Sequence, residues 1–190
     1  TAVSPRPVIK FNFEKNLSIR FRHDPRDTNS LSNNEVNEIF MDHEGVLWVG
    51  TEAGLDRYNR TTGRFRRFRH DPMDSTSLSQ NQIRCIYEDR SGTLWIGTNI
   101  GGLNRFHRET GKFTTWKSLV PGREVSSTWS IHEDQRGNFW IGEYMKGLHL
   151  FDRERGRSIR HFTEKDGLAS NSVGRIFEDG SGRLWIGTSN

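Results

Sequence analysis

Two His-Asp-Pro triplets, His23-Asp24-Pro25 and His70-Asp71-Pro72, are the first residues in the sequence whose types could do chemistry, as metal ligands or as acid–base pairs. Four aspartates, Asp42, Asp89, Asp134 and Asp179, also recur, each ahead of a tryptophan. Both sets read better as architecture. Asp-Pro and the Ser-Leu-Ser that follows are turn chemistry, and a feature copied from unit to unit serves the fold more readily than a single site. The seven histidines contain no i,i+4 pair, and Cys85 is the only cysteine, so an intrachain disulfide and a four-cysteine zinc site are excluded. No Gly-x-Ser-x-Gly elbow and no phosphate-binding Gly-Lys loop occurs. No metal, no cofactor and no catalytic residue is expected, which leaves binding as the chemistry to look for.

Any binding residues must be positioned by a repeated element. Leu47-Trp48-Val49-Gly50-Thr51 recurs as Leu94-Trp95-Ile96-Gly97-Thr98, Phe139-Trp140-Ile141-Gly142-Glu143 and Leu184-Trp185-Ile186-Gly187-Thr188. Before each comes an apolar-acidic run, such as Ile39-Phe40-Met41-Asp42 or Ile86-Tyr87-Glu88-Asp89. After the first three come Gly54-Leu55, Gly102-Leu103 and Gly147-Leu148, then a closing pair, Phe65 with Phe68, Phe113 with Trp116, and Ile159 with Phe162. Each block is a strand-length run bounded by turn residues, so each unit predicts four antiparallel strands. Such units at this period are the signature of propeller blades, and no helical periodicity supports a solenoid.

The fold class predicted is all-β, a β-propeller fragment of about four blade-length repeats occupying residues 1–190. Blades are placed at 34–69, 81–116 and 126–162, with a partial blade at 171–190. Residues 17–22 match the last strand of a preceding blade, because Phe21 stands to Phe68 as one unit to the next, and no earlier strand of that blade is expected. Partial units at both ends lead to the expectation of imperfect closure, self-association, or completion by missing blades of a parent protein.

Composition narrows the partners. Formal net charge is +4, and Arg64, Arg66, Arg67 and Arg69 form a basic run. Arg66 and Arg67 lie between Phe65 and Phe68, as on the solvated face of an edge strand, and no nucleic-acid reader motif accompanies them, so no nucleic acid is expected. No apolar stretch is long enough to span a membrane, and none is expected to contact one.

The units resemble the two-component regulator propeller repeat, "N-x-V-x-x-I-x-x-D-x-x-G-x-L-W-I-G-T-x-x-G-L". Asn34-Glu35-Val36 through Leu55 and Asn81-Gln82-Ile83 through Leu103 follow it, as does Asn171-Ser172-Val173 up to Thr188. The resemblance implies an extracytoplasmic or periplasmic sensor region of a membrane-anchored histidine-kinase receptor, non-catalytic in itself, with an oligosaccharide as ligand. The alternative is a structural or protein-interaction propeller without a small ligand, although the Gly-His and Trp-Asp signature of WD repeats is missing.

The repeats also act as their own control, since a position where one blade departs from the others is released from a shared architectural demand. The third unit departs most. Trp129 aligns with Asn37, Arg84 and Gly174; Glu143 replaces Thr51, Thr98 and Thr188; Arg123 replaces Leu31, Leu78 and Leu168; and Tyr144-Met145-Lys146 stands where the second unit has Asn99-Ile100-Gly101. Arg123, Trp129, Glu143, Tyr144 and Lys146 are therefore the candidate ligand residues, aromatic faces for a sugar ring with charged donors and acceptors for its substituents. Glu38, Cys85, Ser130 and Arg175 share a phase facing the channel and make no metal cage, which argues against a propeller enzyme of the lactonase type.

Overall fold

The computed structural model describes residues 8–12, 14–122 and 125–189, and it is built of strands. Three sheets of four antiparallel strands follow one another: β3 to β6 (Val36–Met41, Leu47–Thr51, Gly54–Asn59, Arg64–Phe68), β7 to β10 (Ile83–Glu88, Leu94–Thr98, Gly102–His107, Lys112–Trp116) and β11 to β14 (Thr128–Glu133, Phe139–Glu143, Gly147–Asp152, Arg157–Phe162). A two-stranded sheet flanks them at each side, β1 with β2 (Val8–Asn12, Leu17–Phe21) and β15 with β16 (Val173–Glu178, Leu184–Thr188). Strand order within each sheet is sequence order, and the first strands β3, β7, β11 and β15 pack on one another in turn, as blades do around a propeller axis. No helix among the described residues is long and apolar enough to cross a membrane.

One strand departs from the sequence expectation. Val8–Asn12 pairs with Leu17–Phe21, Val8 opposite Phe21, so the preceding blade contributes two outer strands rather than one. Val8 occupies the register place that Leu55 holds opposite Phe68. The Gly-Leu that announces this strand elsewhere is Pro7-Val8 here, which hid it.

The core lies between blades. Trp48, Leu55 and Phe68 of the first blade pack against Ile83, Ile86 and Phe106 of the second, and Trp95 and Leu103 of the second against Phe139, Ile141 and Phe151 of the third. Trp48 and Trp95 are 0% and 1% exposed, Trp140 is half-buried, and Trp185 in the last sheet is 62% exposed. A glycine stands two residues after each tryptophan, and in the three four-stranded blades it is there for want of room: a Cβ on Gly97 would lie 2.5 Å from both the Cys85 sulfur and the Thr128 carbonyl of the next blade.

The recurrent aspartates are turn caps, as their spacing suggested. Asp42 accepts from the Val46 N–H at 2.7 Å and from the Trp48 indole at 2.8 Å, and Asp89, Asp134 and Asp179 make the same pair of contacts with their own turns and tryptophans. They also tie blades together. Arg108 of the second blade donates to Asp42 at 2.7 Å, and Arg153 of the third donates to Asp89 at 2.9 Å and Glu133 at 2.8 Å. Burial alone would push the Asp42 and Asp89 carboxyls up, but these donors outweigh it and hold both below the usual range. The His-Asp-Pro loops are braced in the same spirit: His23 and His70 place their Nδ1 atoms 2.7 and 2.8 Å from the Leu31 and Leu78 carbonyls, in step. In the arginine run, Arg67 donates to the Ser30 and Leu31 carbonyls, pinning the loop before the first blade.

Candidate functional site at the channel mouth

Each blade's first strand carries one residue more than its partner. Val36 pairs with Thr51 and Glu38 with Gly50, leaving Asn37 as a bulge, and the same slip leaves Arg84, Trp129 and Gly174 bulged in the next three sheets. A bulge breaks the strict alternation of a strand and re-aims one side chain without altering the rest of the ladder. Here four equivalent bulges line a single cavity of about 480 Å³ together with Arg175, Gly187, Thr188 and Ser189. The backbone device is constant and the residue it presents is different in every blade, amide, guanidinium, indole and nothing. That combination suits recognition, because the scaffold sets position and the side chains set chemistry.

The mouth is held by contacts between blades. Glu52, in the loop after β4, accepts from Asn37 at 2.7 Å and from Arg84 of the next blade at 3.0 Å, and Asn37 also donates to the Ile83 carbonyl at 2.9 Å. Trp129 stacks on Tyr144 with ring centroids 4.5 Å apart and an interplanar angle of 22°. The Tyr144 N–H donates to the Ser127 carbonyl at 3.0 Å, which fixes the loop carrying the second ring. Two donors at the mouth, Arg84 Nε and Trp129 Nε1, are buried and have no partner. Buried polar atoms are nearly always satisfied, so unpaired donors on two residues that line one cavity mark a place where a ligand can complete the pairing. Farther along β3, burial raises the Glu38 carboxyl, with Arg175 and the Ile39 N–H opposing the shift.

Of the five residues expected at the site, Trp129 and Tyr144 come together as a stacked pair, and Trp129 lines the mouth. Lys146 lies in the same loop as Tyr144 and donates to the Val125 carbonyl at 3.0 Å. Glu143 is placed differently: it is 2% exposed, its Oε2 3.2 Å from Nε2 of buried His149. The other blades explain it. Where the third blade has Glu143 and His149, the first has Thr51 and Asp56, both bonded to the Ser32 hydroxyl, and the second has Thr98 and Asn104, each bonded to Ser79. Glu143 is thus half of a paired exchange inside its blade, away from the cavity lining. Arg123 lies outside the described residues. Asn37, Arg84, Gly174 and Arg175 were not among the expected ligand residues; the signal that could have found the first three was already in hand, since they are the positions aligned with Trp129. Among the described residues no group of three or more His, Cys, Asp or Glu is arranged to hold a metal ion.

Known proteins place these features in context. A family model described as the two-component regulator propeller matches residues 30–53, 77–99 and 167–190, and the strongly departing third unit is the one it passes over. A search of the curated proteins returns no match. Among solved structures, one described as the extracellular domain of a hybrid two-component system from B. thetaiotaomicron is 30% identical with a TM-score of 0.79, over 92% of this chain and 24% of that one. A second B. thetaiotaomicron extracellular domain, described as from a one-component system, is 22% identical with a TM-score of 0.70, over 94% of this chain and 31% of that one. A type-IX secretion component of Porphyromonas gingivalis shares the fold at 14% identity and a TM-score of 0.52, over 97% of this chain and 35% of that one. The chain therefore spans between about a quarter and a third of the length of these structures.

Proposed function

We propose that this chain, whose repeats belong to the two-component regulator propeller family, is part of the extracytoplasmic sensing propeller of a signalling receptor and binds an oligosaccharide at its channel mouth. The observation that carries the reading is the ring of bulged residues, a constant backbone device presenting Asn37, Arg84, Trp129 and Gly174 into one cavity. An indole backed by a tyrosine offers a rigid apolar surface of the kind a pyranose packs on, and the amide and guanidinium beside it suit hydroxyls. The extracytoplasmic side is carried over from the 30% identical structure, described as an extracellular domain. In this reading the propeller acts by binding alone: ligand binds one arrangement of the receptor better than another and so shifts the balance between them.

A thermal-shift screen of the chain against neutral and acidic oligosaccharides tests it, repeated with Trp129→Ala and Tyr144→Ala. A saccharide at about a hundred times its Kd stabilises the fold by roughly 2.7 kcal/mol, and the shift disappears in both variants. A screen in which no saccharide shifts the transition points instead to a propeller that recognises protein.

A further inference from the structure

The charged groups lining the mouth are of one sign. Among the described residues that line it are Arg84 and Arg175 and no carboxylate; Glu52, which pairs with Arg84, and Glu38, which feels the charge of Arg175, are not part of the lining. Arg84 spends one amino group on Glu52 and keeps a buried Nε with no partner, and Trp129 Nε1, on another lining residue, is equally unpartnered. Arg175 is exposed and makes no hydrogen bond or ion pair among the described residues. The mouth is thus rich in unspent donors, and two of its donors belong to planar guanidiniums that match the two oxygens of a carboxylate.

Resting on the sugar-binding reading above, we propose that the mouth selects an acidic saccharide, with a uronate carboxylate held by Arg175 and Arg84 while the ring packs against Trp129. Gly174 supplies the room. A Cβ there would meet nothing closer than the Gly187 carbonyl at 3.9 Å, and the backbone is outside the left-handed region, so a large side chain at this bulge fills the mouth without straining the fold.

The test is calorimetric titration of the full 190-residue chain with a panel of uronic-acid di- and trisaccharides and their carboxyl-reduced, neutral counterparts. The panel is repeated on Arg175→Gln and Gly174→Trp, and circular dichroism confirms that both variants fold. A member of the acidic set binds, its reduced counterpart binds at least about tenfold more weakly, and Arg175→Gln loses a similar factor for the acid alone, as expected for a charge-assisted hydrogen bond. Gly174→Trp abolishes binding. Equal binding of acid and reduced sugar, or an acid that does not notice Arg175→Gln, overturns the acidic selectivity and leaves the sugar site standing. Binding that survives Gly174→Trp removes both from the mouth. A panel with no binder in either set sinks the sugar reading, and the selectivity with it.

Discussion

Replacing Asp56 by Asn stabilises the protein at neutral pH. Asp56 is fully buried; its Oδ2 accepts from the Ser32 N–H and hydroxyl at 2.8 and 2.7 Å, and its Oδ1 has no partner. Burial pushes the carboxyl up to about 6 from 3.8, against the pull of the Ser32 donors, Arg67 and Arg69. The second blade shows what an amide does in this place: Asn104 accepts from the Ser79 N–H at 3.0 Å and donates to the Ile96 carbonyl at 3.2 Å. Asp56 faces Val49 as Asn104 faces Ile96, so Asn at 56 keeps the acceptor and turns the orphaned oxygen into a donor with a carbonyl opposite.

The sign follows from linkage. A carboxyl whose folded pKa is raised contributes stability that is complete below the unfolded value near 3.8 and is lost as pH rises through about 6. At about 1.36 kcal/mol per unit the full effect is about 3 kcal/mol, of which about 2 kcal/mol develops between pH 7.5 and 4.5. Urea unfolding followed by tryptophan fluorescence at pH 4.5, 6.0 and 7.5 reads this as a difference between wild type and Asp56→Asn, in which the other titrating groups cancel. The variant's advantage is largest at pH 7.5 and shrinks by about 2 kcal/mol at pH 4.5. An advantage that is the same at both ends of the range would refute the assignment of a buried, raised carboxyl.

Three further outcomes are expected. Trp48→Ala costs about 3 to 5 kcal/mol in unfolding free energy, because Trp48 is enclosed by Phe68 and Phe106 and bonded to Asp42, whereas Trp185→Ala, at an exposed copy of the same position, costs under about 1 kcal/mol. Gly97→Ala, whose Cβ would meet the Thr128 carbonyl, lowers the melting temperature by several degrees, while Gly174→Ala leaves it unchanged; equal effects would contradict the close approach of blades at Gly97. Cys85, buried and with its thiol pushed up to about 12, does not react with iodoacetamide at pH 8.5 in the folded protein and reacts at once in urea; labelling of the native chain would show the blades parting there.

The propeller itself was legible because its determinants are local and repeated. The tryptophan strand, the glycine after it and the Asp-x-x-Gly turn act over a few residues, and copying them in phase announces four-stranded units without any knowledge of contacts. The strand at Val8–Asn12 escaped for the complementary reason: it keeps the strand's alternation but lacks the local Gly-Leu signature, and its place is decided by pairing with Leu17–Phe21. The site was half legible. Departure of one blade from the others pointed to Trp129 and Tyr144, which stack, but it pointed equally to Glu143, which turns inward to His149.

Sequence comparison among repeats finds where an architectural demand has been lifted, and does not say whether the released side chain faces solvent or a compensating change next door. Only tertiary structure decides that, because the bulge that turns residues 37, 84, 129 and 174 into the mouth is a mismatch in register between two strands. The cavity exists only where four blades meet, from residues that stand one whole blade apart along the chain. The blade and its repetition follow from local residue order; the converging of unlike residues on one mouth comes from the packing of successive blades.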